Sequence, residues 1–173
     1  MHYVSKTFLS AAVIVMAGAA AQAQDAPSAT VNDPPGPVPD PGHIPFTPPD
    51  KVAWTGSPTG QQQVTLFGDP SKPGMYGVLI KWNPGAFSKP HFHDQERYIY
   101  VVSGTWWVNS GASFEPDATV PVPAGGFVRR VAHTPHYDGV RKGGKEPAVI
   151  GIFGQAPIEF KLIDPSKPPV RPV

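Results

Sequence analysis

The chain has 173 residues, 14 lysines and arginines against 13 acids, a formal net charge of +1 and no cysteine. Without cysteine there can be no disulfide, no thiolate zinc site and no cysteine nucleophile. A charge this close to zero leaves no excess of basic groups to draw in nucleic acid or anionic lipid, so neither partner is expected.

Read in chain order, the first segment carries Lys6, an almost wholly apolar run from Phe8 to Ala20, and a small-x-small site at Ala21-Gln22-Ala23. That is the form of a secretory signal peptide over residues 1–23, with the mature chain starting near Gln24 and a periplasmic or secreted location. The run is shorter than the roughly 18 to 20 apolar residues a membrane span needs. Removing Lys6 with the signal brings the formal charge from +1 to 1 − 1 = 0.

Residues 24–51 are rich in proline, including Asp33-Pro34-Pro35-Gly36-Pro37 and Pro48-Pro49. Proline fixes φ and removes backbone donors, so an extended arm or spacer is expected here rather than a helix or a central strand. Ile44-Pro45-Phe46 is a candidate for packing on the folded domain or on a second subunit, and His43 reads as a solvated linker residue.

Residues 52–165 form one domain that reads as strands throughout. Candidates are Gln63–Phe67, Tyr76–Trp82, Phe87–His93, Arg97–Val102, Thr105–Asn109, Thr119–Val122, Phe127–Val131, Val149–Phe153 and Ile158–Ile163, rich in β-branched and aromatic residues. Turn signals such as Asn83-Pro84-Gly85, Ser103-Gly104 and Ala124-Gly125-Gly126 separate nearly all of them. Many short strands at regular spacing predict an all-β antiparallel jelly-roll barrel, with residues 166–173 as a Pro-rich tail.

Chemistry concentrates at Pro90-His91-Phe92-His93-Asp94-Gln95-Glu96-Arg97. Side chains alternate along a strand, so His91 and His93 project from one face and can reach one metal ion. Gly85, His91, His93 and Gly104 fall on the spacing Gly, five residues, His-x-His, then a later Gly. This resembles the first motif of the cupin superfamily. In that pattern a glutamate ligand belongs where this chain has Arg97, and Glu96 sits one residue earlier.

A shift of one residue reverses the face in a regular strand, so Glu96 and Arg97 cannot both point inward. Glu96 is a candidate fourth ligand if Asp94-Gln95-Glu96 forms an irregular turn. Arg97 is expected to turn outward to solvent in preference to clamping an anionic substrate, since a buried unpaired cation beside a divalent ion is costly.

The second cupin motif aligns best on Val131-Ala132-His133-Thr134-Pro135-His136, which puts His136 in the histidine position, His133 in a glycine position and Val140 in place of asparagine. The resemblance then implies a metal held by His91, His93 and His136, with His133 as a turn former at positive φ. Tyr137 is a candidate proton donor or substrate contact.

Three imidazoles leave coordination positions open for water or substrate, as catalytic sites do. Histidines alone suit zinc, copper, nickel, iron or manganese. Zinc or copper comes first by competition outside the cytoplasm, and iron or manganese rises if Glu96 joins. The cupin resemblance implies dioxygenase, isomerase, decarboxylase or lyase chemistry on a small, oxygenated or carboxylated molecule, or else a non-catalytic metal- or ligand-binding module. Cupins commonly pair through strand edges, so a homodimer is expected.

Overall fold

The computed structural model describes residues 46–172, so the signal segment and the Pro-rich arm through residue 45 lie outside the described residues. The chain divides into units 1–46 and 47–173, and every strand belongs to the second. Among the described residues no helix is long and apolar enough to cross a membrane. In order the strands are β1 (Thr55–Gly56), β2 (Gln61–Phe67), β3 (Gly74–Trp82), β4 (Ala86–Ser88), β5 (His91–His93), β6 (Arg97–Ser103), β7 (Thr105–Ser110), β8 (Val120–Pro123), β9 (Phe127–Arg130), β10 (His136–Gly139), β11 (Ala148–Ala156), β12 (Phe160–Leu162) and β13 (Val170–Pro172).

All pairings are antiparallel. One sheet runs β1-β2-β3-β11-β6-β9, and the other runs β12-β5-β10-β4-β13 with β7 on β10 and β8 on β7. The core lies between them: Trp82, Ile99, Val101, Ile150 and Ile152 from the first meet Ala86, Trp106 and Val108 from the second. This is the expected jelly roll. The barrel is not closed, however, because among the described residues no ladder joins the two sheets, so β1 and β9 of the first and β12, β13 and β8 of the second remain as edges.

Period-two alternation builds the inner face of the first sheet. On β6, Arg97, Ile99 and Val101 are buried while Tyr98, Tyr100 and Val102 are exposed. The central strand β11 is hydrogen-bonded on both sides, to β3 and β6, and carries Ala148, Ile150, Gly151, Ile152 and Gly154 buried along almost its whole length.

Two departures from the sequence reading follow from proline. The single strand expected over Phe87–His93 is split into β4 and β5 at Lys89-Pro90, where proline has no N–H to continue a ladder. Residues 170–172, expected in a tail, form β13 and pair with β4; a strand ending in Pro172 is tolerated because it lies at the sheet edge. β10 also lies where no strand was expected.

Turn geometry follows the glycines of the motif. Gly104 joins β6 to β7 at φ 72°, and a Cβ there would fall on the carbonyl oxygen of Pro147. His133 is the one non-glycine residue at positive φ among those described, at 60°, in the glycine position the sequence assigned it.

Candidate metal centre

Strand register brings the three histidines together. His91 and His93 are i and i+2 on β5 and share a face, and His136 on β10 is the direct cross-strand partner of His91. One ligand nitrogen from each lies within 4.8 Å of the others, close enough for all three to bind a single ion. All three side chains are buried.

Backbone carbonyls set two of the tautomers. His91 Nδ1 donates to the Lys89 carbonyl at 2.7 Å, and His136 Nδ1 donates to the Thr134 carbonyl at 2.8 Å. In each ring the lone pair is therefore on Nε2, the atom a metal would take, and the carbonyl holds the ring in place. His93 has both ring nitrogens buried without a well-formed hydrogen bond, the Glu159 backbone being a nearby polar group. A buried, orphaned imidazole is costly unless something ligates it, so the donor set fits a divalent transition metal.

The rings are held neutral. Burial, then the positive charge of Arg97, lowers His93 to about 2; burial, then Arg130, lowers His136 to about 2; burial also lowers His91. Phe160, the register partner of His93, stacks on the His91 ring at 4.5 Å and covers the pair from the side.

Arg97 points inward, contrary to the preferred expectation. It follows the buried parity of Ile99 and Val101, is 8% exposed, and donates through Nη2 to Nε2 of His136 at 2.9 Å. Its Nε is buried without a partner. Burial pushes its pKa down to about 10, which still leaves it charged at neutral pH.

Glu96 takes the opposite face. Its carboxylate forms a two-point ion pair with Arg129, at 3.0 Å to Nε and closer still to Nη2, and accepts from the Tyr98 hydroxyl at 3.2 Å. The chain is bent at Asp94-Gln95, but this does not bring Glu96 into the histidine group.

Tyr137 is also directed elsewhere. Alternation on β10 sends it away from His136, and its hydroxyl accepts from Asn109 Nδ2 at 2.9 Å and from the Glu115 N–H at 3.0 Å while donating to the Glu115 carbonyl at 3.0 Å. It is a buried anchor for the 115 loop and does not line the cavity beside the histidines.

Two ionisable residues that the sequence reading passed over adjoin the site. Asp138 is buried, accepts from Trp106 Nε1 at 3.2 Å and lies 3.6 Å from the Arg130 guanidinium. Arg130 is the direct cross-strand partner of Arg97, so the two guanidinium-bearing residues sit side by side on β9 and β6.

A cavity of about 410 Å³ opens from the histidines between the sheets. Its polar end holds His91, His93, Arg97, Ser88 and Asp138, and its walls are inward residues of the first sheet, among them Val78, Ile80, Trp82, Ile99, Ile150 and Ile152. That combination of a few convergent polar groups and apolar walls is how small-molecule sites are built.

An antiparallel jelly roll with a His-x-His strand and a third histidine facing it from the neighbouring strand defines a cupin. The chain belongs to the ChrR cupin-like domain family, which it matches over residues 46–135. The match ends one residue before His136, so the third histidine rests on the geometry above. Among solved structures, the polyketide cyclase RemF from Streptomyces resistomycificus is similar with a TM-score of 0.58 at 16% identity, covering 73% of this chain and 89% of that one. KdgF from Halomonas sp. is similar at 0.50 and 21%, covering 64% and 93%, and the 7S globulin of Momordica charantia at 0.50 and 13%, covering 65% and 35%. At these identities the likeness establishes the fold alone. No curated protein matches the chain.

Proposed function

We propose that this chain is an exported metal-dependent enzyme acting on a small oxygenated or carboxylated organic molecule, with one divalent ion held by His91, His93 and His136. The observation that carries this reading is the convergence of three buried imidazoles, two of which, His91 and His93, line a cavity large enough for such a molecule. Three protein donors leave coordination positions free, and the ion when bound supplies Lewis-acid chemistry to whatever oxygen enters there. Zinc or copper is the first choice, because imidazole donors without a carboxylate favour the later metals of the series. Glu96, paired with Arg129, adds no oxygen donor that would favour iron or manganese.

Within this site the protein's own groups have separable roles. The Lys89 and Thr134 carbonyls orient the imidazoles, Phe160 and the apolar walls keep water from the rings, and Arg97 stands ready for an acidic group. Export by the segment 1–23, and pairing of two copies through an open strand edge such as β9, belong to the same reading.

The test is elemental analysis of the purified protein followed by turnover of a panel of small oxygenated acids, monitored by NMR. One equivalent of metal, and a turnover abolished by chelation and restored by the same metal, are expected. Stoichiometric metal with tight ligand binding but no turnover across the panel would instead identify a binding module, and absence of metal uptake would refute the site.

A further inference from the structure

Deepening the metal-centre reading, on which it rests, we propose that the cavity selects a small monocarboxylate with an apolar body, its acid group gripped by Arg97 beside the three histidines and its remainder lying between the sheets.

The buried charges do not balance. Among the described residues the buried side chains of fixed charge are Arg97, Arg130 and Asp138, so two guanidiniums face one carboxylate. A divalent ion on neutral ligands adds two more positive charges. In a low-dielectric interior an uncompensated cation is costly, and the compensation has to come from an anion that enters.

Asp138 compensates Arg97 only through space: its carboxylate accepts from Trp106 Nε1 and faces Arg130, and it makes no hydrogen bond to Arg97. The one recorded partner of Arg97 is His136 Nε2, and a metal ion would take that same lone pair. Once it does, Nη2 loses its acceptor and Nε already has none, which leaves a planar fork of donors with no acceptor at the polar end of the cavity. Paired parallel N–H groups match a carboxylate in two-point geometry.

The rest of the cavity limits the class further. Arg97 is the one cation among the lining residues, so there is provision for one acid group rather than two. Val78, Ile80, Ile99, Ile150 and Ile152 favour hydrocarbon over most of the wall, with Gln61, Gln63, Thr65 and the unpartnered Trp82 indole N–H as its polar exceptions.

The experiment uses zinc-loaded full chain and two probes of the same shape, hexanoate and hexanamide, with binding read by calorimetry and by the fluorescence of Trp82 and Trp106, which line the cavity. Hexanoate should bind at least about tenfold more tightly than the amide. Arg97→Gln should abolish that preference while hexanamide affinity stays within about twofold, and Arg97→Lys should restore part of it. Equal binding of acid and amide by the wild-type protein, no binding of hexanoate, or an undiminished preference in Arg97→Gln would overturn the proposal. Zinc content measured on the same samples separates the two readings: Arg97-dependent acid selectivity without zinc uptake supports the carboxylate pocket and removes the metal site, whereas zinc uptake without selectivity does the reverse.

Discussion

Arg97 Nη2 lies 2.9 Å from His136 Nε2, so a guanidinium occupies the lone pair that a metal ion would use. The cation and the ion therefore compete for one atom. Arg97→Gln should tighten zinc binding by at least about tenfold, the scale of losing one hydrogen bond from a charged donor together with its repulsion of the ion. Competition titration against a chromogenic chelator measures this; unchanged or weaker zinc binding would show that the guanidinium moves aside without cost.

Tyr137 holds the 115 loop through two hydrogen bonds to Glu115 and accepts a third from Asn109 on β7, and the residue is 1% exposed. Tyr137→Phe should lower stability by about 1 to 3 kcal/mol, because the Asn109 amide and both Glu115 backbone groups lose their shared partner. Denaturant midpoints check the loss, and metal stoichiometry should be unchanged. A variant of full stability but no turnover would return Tyr137 to a chemical role.

Acid should unfold the metal-free protein through its histidines. Their folded pKa values lie below the ordinary 6.5, at about 2 for His93 and His136 and shifted in the same direction for His91, chiefly through burial. Above pH 6.5 both folded and unfolded states carry neutral rings. Below it the unfolded chain takes up protons that the folded one refuses, so stability present at pH 7 is lost as the pH falls toward the folded values. Each ring contributes a slope of up to about 1.4 kcal/mol per pH unit, or roughly 4 for the three together. Thermal melts in chelator from pH 7 to pH 4.5 should show this fall, and a flat profile would mean that the rings are less buried or already paired with acids.

Gly104 connects β6 and β7 at positive φ, with the Pro147 carbonyl where a side chain would begin. Gly104→Ala combines backbone strain with a collision against main chain and should cost about 2 to 4 kcal/mol. Chemical denaturation reads the loss; a cost under about 0.5 kcal/mol would mean that the turn can be rebuilt around the methyl.

Much of the site could be read from the sequence because it is periodic. Two histidines two residues apart on an extended segment must share a face, and the spacing from Gly85 to Gly104 tied them to a strand, a turn and a return strand. His136 was legible through the histidine position of the second motif, and His133 through the backbone conformation that its glycine position demands. The orientation of Arg97 was missed although the signal was present: it shares parity with Ile99 and Val101, the apolar residues of β6, and parity outweighs the cost of burying one cation when a neighbouring imidazole accepts from it. Parity also put Glu96 outside, where Arg129 on the paired strand meets it.

The roles of Asp138 and Arg130 were not legible, since each lies on a four-residue strand whose partner depends on long-range pairing. The β13 pairing was hidden for a related reason, because only its place at a sheet edge reconciles Pro172 with a strand.

The most direct test is an anomalous-scattering map from crystals of the protein as purified, collected on either side of the absorption edge of the metal found by elemental analysis. A single peak about 2.0 to 2.1 Å from one ring nitrogen each of His91, His93 and His136 is the predicted result. A peak elsewhere, or none at these three rings in crystals of a protein shown to be folded and exposed to zinc, would contradict it.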